Sequence, residues 1–291
     1  MSLLLTFDEG PGAGLGHRRR MEALAAELTS RAHDCALVPI TGIGAAGNYD
    51  VAIVDSYRVR ADDGAFAAAR IVAAIDDLAR DLAVDLVVDP SPGTVGAAHR
   101  RARRVLAGAA YALVPAPTSD VHEAAIDDVT RVLVTTGAAD ADGAGARIAT
   151  SLRAALRETR PGIEIRLVVG PWGATEVPPG VVAVHAPAGL AAEIAAASIV
   201  VTAGGVALLE ACLLGRPTVA LALAENQRQA VHGLARDHAV IAATADTVTN
   251  AVCALIDDRT QRVALAVAAR SAVDGKGATR VADTIEQLVW R

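Results

Sequence analysis

Aromatic residues are nearly absent: Phe, Trp and Tyr make up 2% of the 291 residues. That argues against base-stacking platforms and aromatic sugar-clamping grooves. Positive charge is also short. The net charge of −6 argues against non-specific nucleic-acid binding, so no nucleic-acid partner is expected. An anionic ligand would have to meet a local positive field. No apolar run reaches the roughly 18 uninterrupted residues that a membrane span needs, because Glu193 or Arg216 breaks the longest candidates. Met1 to Phe7 lack a basic leader region and read as a strand, so no signal peptide is expected. Three cysteines, Cys35, Cys212 and Cys253, are odd in number, widely spaced and form no C-x-x-C pair. A reduced, cytoplasmic protein with buried thiols is the expectation.

What is present is apolar bulk and alternation. Hydrophobic residues make up 53%, enough for large cores, and the length suggests two domains at about 100–200 residues each. Short apolar runs alternate with stretches of helical spacing. The first half reads as strands at 3–7, 35–39, 51–54, 71–75 and 84–88. A helix over 17–30 places Met21, Leu24, Ala25 and Leu28 on one face. A weak stretch over 115–128, with two prolines and then Thr118, Ser119 and Asp120, suggests the domain boundary. The pattern then restarts, with strands at 129–135, 163–169, 181–185, 199–202 and 218–223. Helices fall at 146–156, 190–197, 206–214 and 226–236. The expected organisation is α/β: a domain over 1–128 and a second over 129–291, whose last helix returns to the first. Alternating β and α units favour parallel sheets covered on both faces, with ligands at the carboxyl ends of the strands.

Two glycine turns follow strands and open helices. The first is Gly12-Ala13-Gly14-Leu15-Gly16-His17-Arg18-Arg19-Arg20. Its glycines alternate, unlike the G-x-G-x-x-G dinucleotide fingerprint, and a structural turn explains them as well as a ligand does. His17 sharpens the reading, because an imidazole at a helix start can take a proton near neutral pH. The second is Ala203-Gly204-Gly205-Val206-Ala207-Leu208-Leu209-Glu210. Two glycines clear side chains from a helix N-terminus, which carries about half a positive charge and suits a diphosphate. Glu210, one turn on, is placed to accept from ribose hydroxyls. The alternative is a plain glycine turn with a solvated glutamate.

Polar residues gather at other strand ends: Asp55-Ser56-Tyr57, Asp76-Asp77, Thr135-Thr136-Gly137, His185 and Asn226-Gln227. Their shared address is more informative than any member. The histidines show no metal-ligand spacing such as H-E-x-x-H. Neither a metal nor a cofactor is expected. The basic run His99-Arg100-Arg101-Ala102-Arg103-Arg104 reads as a solvated helix face, with an anionic membrane or phosphate contact as the alternatives.

In this order the pieces resemble the UDP-sugar hydrolases of pseudaminic acid biosynthesis (PseG type), relatives of the MurG-like GT-B glycosyltransferases. Gly14-Leu15-Gly16-His17-Arg18-Arg19-Arg20 is similar to the family's G-x-G-H-x-x-R, with Arg20 at the arginine position. Val54-Asp55-Ser56-Tyr57 is similar to its I/V-D-x-Y, Ile75-Asp76-Asp77 to its D-D, and Tyr111-Ala112-Leu113 to its Y-A-L. Thr136-Gly137-Ala138-Ala139-Asp140 approximates a G-G-x-D loop. Ala203-Gly204-Gly205 through Glu210, Asn226-Gln227 and Asp274-Gly275-Lys276-Gly277-Ala278 complete it. Val114-Pro115-Ala116-Pro117 departs from the family, which commonly places an arginine and an acidic-aromatic pair there.

The resemblance implies a GT-B architecture: two Rossmann-like domains facing a cleft, with UDP held mainly by the second. It implies His17 and Tyr57 as catalytic residues. It implies Gly14, Gly16, Arg20, Asp55, Asp76, Asp77, Gly137, His185, Gly204, Gly205, Val206, Glu210, Asn226 and Gln227 as substrate- or UDP-binding. The implied reaction is hydrolysis of UDP-2,4-diacetamido-2,4,6-trideoxy-β-L-altrose to UDP and free sugar. Tyr57 is left to orient the water, the sugar or His17. An inverting glycosyltransferase of the same fold is the main rival. A silent nucleotide-sugar-binding partner is the third reading.

Overall fold

The computed structural model describes residues 1–42, 48–116, 124–140, 142–173, 176–186 and 189–290. Thr118, Ser119 and Asp120 of the expected boundary stretch lie outside the described residues. The chain divides into two compact units, Met1–Ala116 with Gly275–Arg291, and Pro117–Asp274.

The first unit holds β1 (Ser2–Phe7), α1 (Gly16–Ser30), β2 (Asp34–Pro39), β3 (Val51–Asp55), β4 (Ile71–Ile75), β5 (Leu86–Asp89) and β6 (Arg104–Ala107). The second begins with β7 (Arg131–Thr135), α2 (Ala144–Leu156), β8 (Glu164–Val168), β9 (Val182–Val184), α3 (Ala191–Ala195) and β10 (Ile199–Ala203). It continues with α4 (Val206–Leu213), β11 (Thr218–Leu221), α5 (Arg228–Arg236), β12 (Ile241–Ala243), α6 (Val248–Asp257) and α7 (Arg259–Ala272). The last helix, α8 (Gly277–Val289), belongs to the first unit.

Each unit is one six-stranded sheet, in the orders β2-β1-β3-β4-β5-β6 and β12-β11-β10-β7-β8-β9. All the strand pairs are parallel. Strand order reverses between β1 and β3 in the first sheet and between β7 and β10 in the second. Chains leaving the two strands at such a point diverge to opposite faces and leave a crevice at the carboxyl ends. Each unit therefore has one such reversal point.

Alternation along β1 decides what covers the first sheet. Leu3, Leu5 and Phe7 face α1 and α8, joining Met21, Leu24 and Leu28 with Val281, Ile285 and Val289 in one core. The helical residues recur at three- and four-residue spacing, so each helix buries a single stripe. Burial of each such side chain stabilises by about 1.5–3 kcal/mol. The opposite face is covered too, as expected, but by connecting segments rather than by α-helices. Ala52, Val54, Ala74 and Val87 pack under Ala61, Phe66, Leu82 and Val84, which come from the connecting loops. The second unit does have helices on both faces. Ile148 and Leu152 of α2 and Val252 and Leu255 of α6 cover one, and Ile194 of α3 and Ala211 of α4 the other.

The basic run at 99–104 is not a helix. It is a turn that enters β6, whose Arg104 pairs in register with Leu86 of β5. The sheet needs this edge strand to cover β5, and that tertiary demand overrides the local helical pattern. Arg100 and Arg103 are solvated as expected, but each pairs with a carboxylate, Asp81 and Asp85. Among the described residues no helix is long and apolar enough to cross a membrane.

The α8 contact is tight at its first residue. A Cβ at Gly277 would collide with the carbonyl oxygen of Ala112. Gly277→Ala should therefore cost about 1–3 kcal/mol, the usual range for overpacking. Gly12→Ala, where a Cβ would meet nothing within 4 Å, should leave stability unchanged. Denaturant unfolding of the two variants checks the pair.

Candidate active site

The β1–α1 connection builds the first half of the site. Gly14 adopts φ +71°, a left-handed conformation that glycine takes without steric cost. Its N–H closes the turn onto the Gly10 carbonyl at 2.8 Å. Gly16 opens α1, and His17 and Arg20 follow on one helical face, 2% and 7% exposed. Both point at the end of β3, where Asp55 is fully buried.

Asp55 is shared. Its Oδ1 lies 2.6 Å from His17 Nδ1. Arg20 donates to the same carboxylate through Nε (2.9 Å) and Nη2 (2.8 Å), in a bidentate fork. Arg20 Nη2 also lies 3.0 Å from His17 Nδ1, but a guanidinium only donates. A carboxylate only accepts, so in the tautomer that makes the 2.6 Å contact a hydrogen bond Nδ1 donates to Asp55, Nε2 carries the lone pair, and the Arg20 contact is a close approach rather than a hydrogen bond. Among the described residues Nε2 has no hydrogen-bond partner.

Asp77 completes the ionic set by accepting from Arg20 Nη1 at 2.7 Å. Burial works against the Arg20 charge, but Asp55 and Asp77 outweigh it and hold the guanidinium well above its ordinary range. Burial likewise pushes the Asp77 carboxyl up. The charge and hydrogen bond of Arg20, with a further hydrogen bond from Tyr57, overcome that and set it below its ordinary value.

Tyr57 stands edge-on to His17, with ring centroids 4.3 Å apart and planes at 82°. Its backbone N–H donates to Asp8 Oδ2 at 2.8 Å. Asp8, fully buried at the end of β1, is a site residue that the sequence reading missed. The strand-end address that selected Asp55 and Asp77 also covers it.

Asp76 does not join this cluster. Neighbouring side chains on an extended segment point apart, and Asp76 faces Arg80 (Nε to Oδ1, 2.6 Å) and His99 (3.7 Å). His99, whose side chain is fully buried, also approaches Asp89 at 3.3 Å. The histidine of the basic run thus ties the ends of β4 and β5 together.

In the second unit, Gly137 (φ +105°) and Gly204-Gly205 leave the ends of β7 and β10. These strands are neighbours, with Thr202 opposite Thr135. The two glycines before α4 differ. A Cβ at Gly204 would come within 2.8–2.9 Å of Gln227 and Val231, so its missing side chain serves protein packing. At Gly205 and Gly137 a Cβ would meet nothing within 4 Å. Val206 is the first residue of α4, and Glu210, one turn on, is 8% exposed. Asn226 and Gln227 lie in the short turn Glu225–Gln227, where Gln227 Oε1 accepts from the Leu223 N–H at 2.9 Å. That oxygen is engaged in shaping the loop. His185 is exposed just beyond β9. Thr135 Oγ1 is buried at the end of β7 with no hydrogen-bond partner among the described residues. Asp140 caps α2, accepting from Ala144 N (2.9 Å) and Gly145 N (2.8 Å).

Two parallel Rossmann-like sheets with these strand orders define the GT-B fold, and solved structures of that fold match the whole chain. Spinosyn rhamnosyltransferase SpnG, complexed with thymidine diphosphate, is 17% identical at a TM-score of 0.65, covering 98% of this chain and 100% of that one. MurG of Acinetobacter baumannii is 16% identical at 0.63, covering 99% and 100%. A putative UDP-N-acetylglucosamine 2-epimerase from Listeria monocytogenes is 14% identical at 0.61, covering 98% and 95%. No family model matches the chain, and no curated protein matches it.

The buried ionic set makes two predictions. Arg20→Ala strands two carboxylates and should cost about 3–5 kcal/mol in denaturant unfolding. Asp77, with its carboxyl held low in the folded state, contributes stability that is complete above the unfolded-state value of about 3.9. It is lost as pH falls through the folded value. Asp77→Asn should therefore flatten the fall in stability below about pH 4, measured by urea unfolding across pH.

Proposed function

We propose that the chain hydrolyses a UDP-linked diacetamido-trideoxy sugar to UDP and free sugar, in the making of a nonulosonic acid of the pseudaminic type. The observation that carries the reading is the buried His17–Asp55 pair at the strand-order reversal of the first sheet, with Nε2 left basic. Its support in sequence is the ordered set of motifs from Gly14 to Gln227.

In this reading His17 Nε2 removes a proton from water as the water oxygen attacks the anomeric carbon. The bond from that carbon to the diphosphate oxygen breaks, and UDP leaves with the electron pair. The imidazolium is stabilised by Asp55 and returns its proton to solvent. General-base catalysis of this kind contributes about 10²–10⁴-fold. In the second unit, taken by itself, the Gly205 end of α4 and the open turn at Gly137 suit a diphosphate, and Glu210 suits a ribose. Arg20 and Asp77 hold the catalytic pair and Tyr57 in place. No step calls for a metal.

A second reading keeps the site and changes the nucleophile. Glycosyltransferases are prominent among the similar structures, SpnG among them, and a transferase would use His17 to deprotonate an acceptor hydroxyl. Incubation with the UDP-diacetamido sugar and no acceptor separates the two, with UDP and sugar followed by NMR. Release without acceptor supports hydrolysis, and release only on adding an acceptor supports transfer. In either case His17→Ala should lower kcat by about 10²–10⁴-fold. Normal turnover by the folded variant would overturn the assignment.

A further inference from the structure

Tyr57 is 37% exposed, yet its ring lies against the buried His17. The hydroxyl end of the ring is held by Asp77; the other end is held through the backbone that carries it. Two side chains hold that backbone. Asp8 Oδ2 accepts from the N–H of Tyr57 at 2.8 Å and of Arg58 at 3.4 Å. Ser56 Oγ accepts from the N–H of Arg58 at 3.1 Å and of Val59 at 2.9 Å. Asp8 is itself fixed, because its own N–H donates to the Asp55 carbonyl at 3.1 Å.

This arrangement is costly. Asp8 is fully buried, its Oδ1 has no hydrogen-bond partner among the described residues, and the Arg58 guanidinium stands 3.9 Å away, beyond hydrogen-bond reach. A buried carboxylate with half its acceptors idle destabilises the fold. Such expenditure concentrates where placement matters for function.

We propose that Asp8 is a positioning residue: it sets the Tyr57 ring against His17 and acts on the reaction only through that ring. The kinetic part rests on the hydrolase reading; the geometric part does not. The hydrogen bonds from Tyr57 and Arg58 need an acceptor at Asp8 and not a charge, so an amide oxygen there retains them.

The test is a double-mutant cycle with two readouts. In ligand-free protein, Asp8→Ala should move the His17 ring-proton resonances to the positions they take in Tyr57→Ala. Asp8→Asn should leave them near wild type. In turnover of the UDP-diacetamido sugar, Asp8→Ala should lower kcat by about 10–100-fold, the cost of a misplaced group, with KM little changed. Asp8→Asn should restore most of it. Asp8→Ala added to Tyr57→Ala should bring no further loss beyond about twofold. His17 resonances unmoved in folded Asp8→Ala would overturn the proposal. So would losses that multiply in the double variant, or Asp8→Asn failing as Asp8→Ala does. If the wild type turns over no UDP-sugar, the hydrolase reading falls, and the resonances alone decide the role of Asp8.

Discussion

The site depends on one carboxylate doing two jobs. Asp55 receives the His17 imidazole and both arms of the Arg20 fork. The two partners sit on one face of α1 and the carboxylate at the end of β3, so α1 and the sheet must dock in a single register for the contact to form. In a buried setting each charge would be expensive alone. Together they neutralise one another, orient the imidazole and fix which of its nitrogens stays basic. Asp77 then balances the remaining Arg20 arm and receives the Tyr57 hydroxyl. The histidine is thus preorganised before any ligand arrives, the condition under which electrostatic catalysis is strong.

Topology explains why these residues meet. Strand order reverses between β1 and β3, and the turn after each strand leads to opposite faces. His17 and Arg20 come from the chain after β1, Asp55 and Tyr57 from the chain after β3, and Asp8 from the end of β1 itself. The second unit repeats the device at β7 and β10, with glycines in place of ionisable groups. One unit carries the buried His17–Asp55–Arg20 set and the other a cleared helix end. That division also answers how a chain of net charge −6 can offer positive field to an anion: the helix dipole supplies it locally.

Much of this was legible from residue order. Strand runs of purely apolar residues, such as Leu3–Leu5 and Ile199–Val201, fit strands buried on both faces. The glycine turns marked where helices begin and brought out His17, the strand-end address gathered Asp55, Tyr57 and Asp77, and Arg20 came from the resemblance. Three things were not legible, each for a physical reason. Asp76 and Asp77 are adjacent, so motif matching takes both; alternation along an extended segment already says that they point apart, but not that Asp76 meets Arg80 and His99. The arginines of 99–104 have helical spacing, but the sheet requires an edge strand there. The double glycine at 204–205 reads as one ligand cradle, whereas packing against Gln227 and Val231 accounts for the first of the pair. Buried thiols were expected at all three cysteines, but Cys35 and Cys253 are half-buried; Cys212 is buried, and burial pushes its thiol up to about 12, which leaves it unreactive near neutral pH.

Under the proposed hydrolysis, water activated by His17 breaks the bond between the anomeric carbon and the diphosphate. Turnover of a UDP-diacetamido sugar in heavy-oxygen water, with no acceptor present, tests it most directly. Mass spectrometry of the released UDP is the readout. The account predicts stoichiometric UDP free of the heavy isotope, because the diphosphate keeps its own bridging oxygen. Heavy oxygen in the UDP, or no release without an acceptor, would contradict it.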